Sequence, residues 1–172
     1  MKKLLYILTL VLFLTACGSN EESEPVVEDT PVDEPKVEVP ETEEKETVDL
    51  SWEEQIKQIA ENEDVAADKF HAIELYMMDY EASVEEVDQF KSDIISEYKA
   101  GTYLNDITNH EFMLSNIFKS YIVEQNSDGA VKDFAFDYLQ NMKYTYRGVD
   151  AVDSDAVKAN EAQLNENLAE IE

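Results

Sequence analysis

Proline occurs at only four positions in this 172-residue chain, Pro25, Pro31, Pro35 and Pro40, and none follows. An interior proline costs a helix about 3 kcal/mol, so residues 49–172 are free to form uninterrupted helices. The chain also has only four glycines. A many-stranded sandwich or barrel needs a turn signal about every 8–12 residues, so turn residues are too scarce for one. The expectation for residues 49–172 is an all-α domain.

The apolar spacing supports this. Ser51-Trp52-Glu53-Glu54 has the form of a capping box, in which a serine oxygen and a glutamate three residues on satisfy two orphan amides. After it Trp52, Ile56, Ile59, Ala66, Phe70, Ile73, Met77 and Tyr80 recur at steps of three and four, with Glu63 as the one polar residue in the stripe. This fits one helix over 52–82 or two helices meeting near Asn62-Glu63-Asp64. Ser83-Val84-Glu85-Glu86 repeats the box, and Val87, Phe90, Ile94 and Tyr98 lead to a stop at Gly101. A third helix is expected over 103–125 and a fourth from Val131 to Tyr146. A thinner one on Val157, Leu164, Leu168 and Ile171 follows Asp153-Ser154-Asp155. Short spacers between helices imply antiparallel neighbours, so the predicted architecture is an up-and-down bundle of four or five helices.

Ahead of the bundle, Met1–Cys17 carries two lysines, an apolar run from Leu4 to Leu14 broken only by Thr9, and small residues before a cysteine. That run covers about 16 Å, against roughly 30 Å of hydrocarbon, and has the three-part form of an export signal. Leu14-Thr15-Ala16-Cys17 resembles the lipobox of bacterial lipoproteins. The resemblance covers about the first 18 residues and implies cleavage between Ala16 and Cys17, diacylglycerol on the Cys17 thiol, and retention on the outer, extracytoplasmic face of the cell membrane. A signal cut nearby and a released product is the alternative. Cys17 is the only cysteine, and an unpaired thiol in an exported chain is explained by acylation.

Residues 17–48 hold every proline. From Gly18 to Val48 there are twelve acids against Lys36 and Lys45, a net charge of −10. No apolar run is long enough to offset the entropy of ordering, so this segment is expected to be a disordered Pro/Glu-rich tether. The organisation is thus signal peptide 1–16, tether 17–48 and bundle 49–172. The bundle has 28 acids and 9 cations, a net charge of −19. Phosphate readout needs a basic face, so nucleic acid is excluded as a partner; a basic protein or peptide suits this charge.

Few residues carry chemistry. Glu124 to Val131 resembles the first eight positions of an EF-hand loop, but Ala135 stands where a bidentate glutamate should close the shell, so no calcium site is expected. Asp68-x-x-His71 is half of a di-metal bundle motif, and His110 has Ile107 where the second carboxylate would have to be; both histidines are expected at the surface. No Gly-x-Ser-x-Gly elbow occurs and the one cysteine is assigned to lipid, so neither an enzyme nor a cofactor is expected. Tyr138, Tyr144, Tyr146 and Arg147, the sole arginine, form the most distinctive cluster. Tyr144, Tyr146 and Arg147 are candidate partner contacts, because aromatics and arginine are enriched at hot spots; the competing role is a helix end where Arg147 caps carbonyls. The expected function is a lipid-anchored, non-catalytic interaction module of the cell envelope. The alternative is a ligand- or cation-binding accessory lipoprotein of a transport system.

Overall fold

Phe118 and its neighbours set the architecture of the folded region. The computed structural model describes residues 50–172, which lie within one compact unit. They form α1 Trp52–Glu61, α2 Ala66–Met78, α3 Val84–Ala100, α4 His110–Asn126, α5 Gly129–Tyr146 and α6 Asp155–Ile171. The expected helical bundle is observed. Its helices number six among the described residues rather than four or five. The expected signal and tether, with Ala16 and Cys17, lie outside the described residues.

The first stripe is two helices. Asn62 leaves the α1 helix in an extended conformation, and its side chain takes the Asp64 amide at 2.9 Å and donates to the Asp64 carboxylate at 2.8 Å. That local turn competes with helix, as asparagine does. Lys69 on α2 is buried and donates to the Ala60 and Asn62 carbonyls, each at 2.7 Å, so its ammonium closes the negative end of α1. The break costs the heptad pattern nothing, because Ile56 and Ile59 on α1 and Phe70, Ile73 and Met77 on α2 all enter one core.

Both capping boxes form: Ser51 with Glu54, and Ser83 with Glu86. Gly101 ends α3 in the left-handed region at φ 66°, where an L side chain would be strained. The third helix begins at His110 instead of 103. Residues between Gly101 and Asn109 form turns, since Asp106 binds the Thr108 amide and hydroxyl, and Asn109 caps the Phe112 amide. Leu104 and Ile107, whose spacing suggested helix, pack onto the core from those turns, and Tyr103 is buried in it.

Helices α4 and α5, and α5 and α6, run antiparallel. His110 meets Tyr146 and Asn116 meets Tyr138 across α4 and α5, while Asn141 meets Asn160 and Asp137 meets Asn167 across α5 and α6. The bundle is nevertheless centred on one element. Helix α4 packs against α1, α2, α3 and α5, whereas α6 packs on α5. The reason lies in the sequence of α4: Met113, Leu114, Ile117, Phe118, Ile122 and Val123 are all buried and point to several sides. A helix apolar nearly all round has to be enclosed.

Candidate functional site

The described residues leave several open concavities, among them two along α4. The larger, about 530 Å³, lies between α3 and α4 and is lined by polar groups, several of which already have partners. Asp93 pairs with Lys119 at 2.7 Å, Glu97 accepts from the Thr102 hydroxyl at 3.0 Å, and Asn116 is held between the Phe112 carbonyl and the Tyr138 hydroxyl. Its buried polar groups are thus committed internally, and the lining has one apolar side chain, Phe112.

The second, about 270 Å³, is a groove with α4 as its floor and α2 and α5 as its walls. Phe70, Met77 and Met78 come from α2, Tyr121 from α4, and Phe136 and Leu139 from α5. Met78 and Phe136 are 65% and 44% exposed, and Leu75, one turn before Met78, is 56% exposed. Large apolar side chains left in water along one trough are the kind of surface that marks an interaction site. Glu74, Glu124 and Lys143 also line it. Burial, and then the neighbouring Arg147, lower the pKa of the Lys143 ammonium, while Glu124 and Glu74 oppose that shift. The three charges are therefore close enough to sense one another.

The expected contact cluster stands at the end of this groove and is largely internal. Tyr146 is buried, its hydroxyl 2.9 Å from His110 Nδ1, and burial pushes its phenol up to about 12. That corrects two expectations. Tyr146 is a core residue because α5 turns it toward α4, and His110 is half-buried rather than at the surface. Arg147 lies between two rings, 4.5 Å from the Phe70 centroid and 5.1 Å from that of Tyr144, and its Nε donates to the Lys143 carbonyl at 3.0 Å. The guanidinium thus caps α5 and ties it to α2. Tyr144 stays half-buried, with Lys143 Nζ 5.1 Å from its ring centroid.

The remaining residues weighed for chemistry are dispersed. His71 is exposed beside Glu74, with Nδ1 3.6 Å from the carboxylate, and Asp68 is exposed one turn earlier on α2. The EF-hand-like segment is the end of α4 and the start of α5, joined only by Ser127 and Asp128, so its ligand positions lie on two helices instead of one loop. Among the described residues no cluster of His, Cys, Asp and Glu is arranged to hold a metal. No described helix is long and apolar enough to cross a membrane.

No protein-family model matches the chain, and no curated protein and no solved structure is significantly similar to it.

The groove residues missed by periodicity share one signal. Met78 and Phe136 are apolar but fall off the stripes that define the core faces of α2 and α5, as does Leu75 on the neighbouring surface of α2. An off-stripe apolar residue is a surface residue by period, and two on α2 spaced by three form a second face.

Proposed function

We propose that this protein is a lipid-anchored, extracytoplasmic interaction module, held to the cell membrane through Cys17 and docking a protein partner on its helical bundle without catalysis. The observation that carries the docking role is the groove over α4, where Met78 and Phe136 remain exposed beside charged Glu74, Glu124 and Lys143. A solvated face gains nothing from exposed methionine and phenylalanine, whereas a partner recovers their burial at about 25 cal/mol per Å². The anchor rests on the lipobox-like Leu14-Thr15-Ala16-Cys17. Two acyl chains bind a membrane stably where one would be marginal. Between them, the 31 residues Gly18–Val48, with ten net negative charges, serve as the spacer. An anionic bilayer would repel both the spacer and the bundle, keeping the groove in solution.

The test has two arms in intact cells. Cys17→Ala is expected to move the protein from the membrane fraction to the medium, or to leave it unprocessed; a normally sized, membrane-retained variant would rule out the anchor. Chemical crosslinking of the wild-type protein should trap a discrete adduct with another protein. A chain that stays free of adducts over the growth cycle would count against the interaction role.

A further inference from the structure

We infer that the corner between α1 and α2 is a two-state hinge latched by Lys69. Bent, it seats α1 on its own α4; straight, it joins α1 and α2 into one helix and passes α1 to the α4 of a second copy.

The apolar stripe carries the first observation. Its steps of four and three run from Trp52 to Tyr80 without a skip through Glu63, so the core faces of α1 and α2 stay in phase across the corner. Residues 62–65 are all exposed and include neither glycine nor proline. Val65 gives α2 no side-chain cap, and α1 has no basic residue in its last turn. Local signals therefore leave the corner open to helix, and a straight element from Trp52 to Met78 would be about 40 Å long.

The hydrogen bonds of the corner can be exchanged between the two states. Bent, the Ala60 and Asn62 carbonyls accept from Lys69 Nζ, and the Asp64 amide donates to the Asn62 side chain. Straight, the helical ladder would give the Asp64 amide to Ala60 and the Ala66 amide to Asn62. Only the Lys69 ammonium loses its partners. It is 2% exposed and forms no ion pair among the described residues, so those two carbonyls are what satisfies it. Burying an ammonium without a carboxylate is costly, and an apolar side chain of like length would fill the space without that cost. What a lysine alone supplies here is a bond to the end of α1, and that end exists only in the bent state.

Packing decides where a released α1 goes. Ile56 and Ile59 are buried, and the Trp52 ring lies 5.2 Å from Phe90 and 5.3 Å from Phe118. A straightened single chain would expose all of them. Exchanged between two copies, α1 regains the same seat, because swapping an identical element remakes every contact. The −19 charge of each bundle opposes pairing, as Lys69 does, so the intact chain stays single.

A photocrosslinking residue in place of Trp52 in the full-length chain, in intact cells, tests this. In the otherwise unaltered protein it should join α4 of the same chain and migrate as a monomer. Adding Lys69→Met should shift it to α4 of a second copy, with the yield of dimer rising roughly tenfold or more, as expected for losing two charge-assisted bonds. Glu63→Pro should then abolish that dimer, since proline breaks the straight helix, while Asn62 already has the extended backbone (φ −69°, ψ 170°) that suits a residue before proline. If Lys69→Met does not fold, alanine at Asn62, Asp64 and Val65 together, all exposed, favours the straight state by propensity and should give the same dimer with the same sensitivity to Glu63→Pro. A chain that stays monomeric in both release variants overturns the latch. A dimer that survives Glu63→Pro, or one in which position 52 remains joined to its own α4, overturns the exchange.

Discussion

The two sides of the bundle are held together by different physics. On the side built from α1 to α4, Phe118 is fully buried and its ring centroid lies 5.3 Å from Trp52, 5.7 Å from Tyr76, 5.0 Å from Tyr80 and 5.8 Å from Phe90. Lys119 covers the cluster, 5.4 Å from the Trp52 ring and paired with Asp93. On the side where α6 meets α5, the contact is a chain of amides and phenols. Asn160 donates to Asn141 at 2.7 Å, Asn141 donates to the Tyr103 hydroxyl at 3.0 Å, and that hydroxyl donates to Glu161 at 2.9 Å. Tyr98 Oη sits 3.1 Å from the Glu161 carbonyl and 3.0 Å from Asn165. Helix α6 itself buries only Val157 and Leu164. Aromatic burial is non-directional and supplies bulk stability. Hydrogen-bonded chains add modest net energy, cost heavily when broken, and select one register.

Substitutions can break that contrast, the largest effect coming from the aromatic side. Phe118→Ala should cost about 3–5 kcal/mol in urea unfolding. Trp52, the sole tryptophan, packs on Phe118 and reports the transition directly. A loss as small as that of a surface residue would show that the ring cluster is not the principal support.

Asn141→Ala should cost about 1–3 kcal/mol, because it removes the buried donor to the Tyr103 hydroxyl and the Val157 carbonyl and the acceptor of the Asn160 amide. Amide exchange should accelerate in α6 well before α4. Equal acceleration in both would mean that the two sides open as one unit.

Removing the Ser83 cap with Ser83→Ala should cost about 1 kcal/mol, read as a shift in the urea midpoint. It also touches the acid limb. Hydrogen bonds from Tyr80, then from Ser83, hold the Glu86 carboxyl below its ordinary 4.5. A depressed carboxyl contributes stability that is full above its unfolded value and lost as pH falls through the folded one. Ser83→Ala removes the hydroxyl's share and keeps the bonds from Tyr80 and the Ser83 amide, so it should flatten the loss of stability in acid only slightly. Glu86→Gln should abolish Glu86's part of it; an acid limb unchanged in Glu86→Gln would remove Glu86 from that account.

The smallest effect has the opposite sign and belongs to the polar side. Burial first, and then Asp133, raise the Asp137 carboxyl above its ordinary 3.8, and its Asn167 partner is a distant 3.4 Å away. A raised carboxyl binds protons more readily when folded, so stability falls as pH rises through that window. Asp137→Asn should gain a little stability near neutral pH and abolish the gain on mild acidification. If the variant is less stable at neutral pH, the Asn167 contact outweighs the burial of charge.

Much of this was readable in advance for local reasons. Capping boxes at Ser51 and Ser83 and the stop at Gly101 act within a few residues, so spacing and residue type suffice to find them. Asn62-Glu63-Asp64 was recognisable as a candidate break, but whether it opens depends on Lys69 reaching back to the Ala60 and Asn62 carbonyls, a tertiary choice. The start of α4 was misread because Leu104 and Ile107 are apolar at helical spacing, yet they pack from turns fixed by Asp106 and Asn109. Tyr146 and Arg147 stood out by type. Capping of the α5 carbonyls was one of the two roles open to Arg147, but the surfaces they meet, His110 on α4 and Phe70 on α2, are remote in sequence and were not readable.

By itself the sequence determined the helical class, the boundary at which proline ends, the helix caps, the acidity of both segments and the lipobox-like cysteine. Each of these is a property of composition or of residues a few positions apart. Only the tertiary structure decided that α4 is the hub, that α6 is held through polar groups, and that Met78, Tyr121 and Phe136 share one groove. These depend on which faces of separate helices meet, and period along one chain carries no information about the phase of one helix against another.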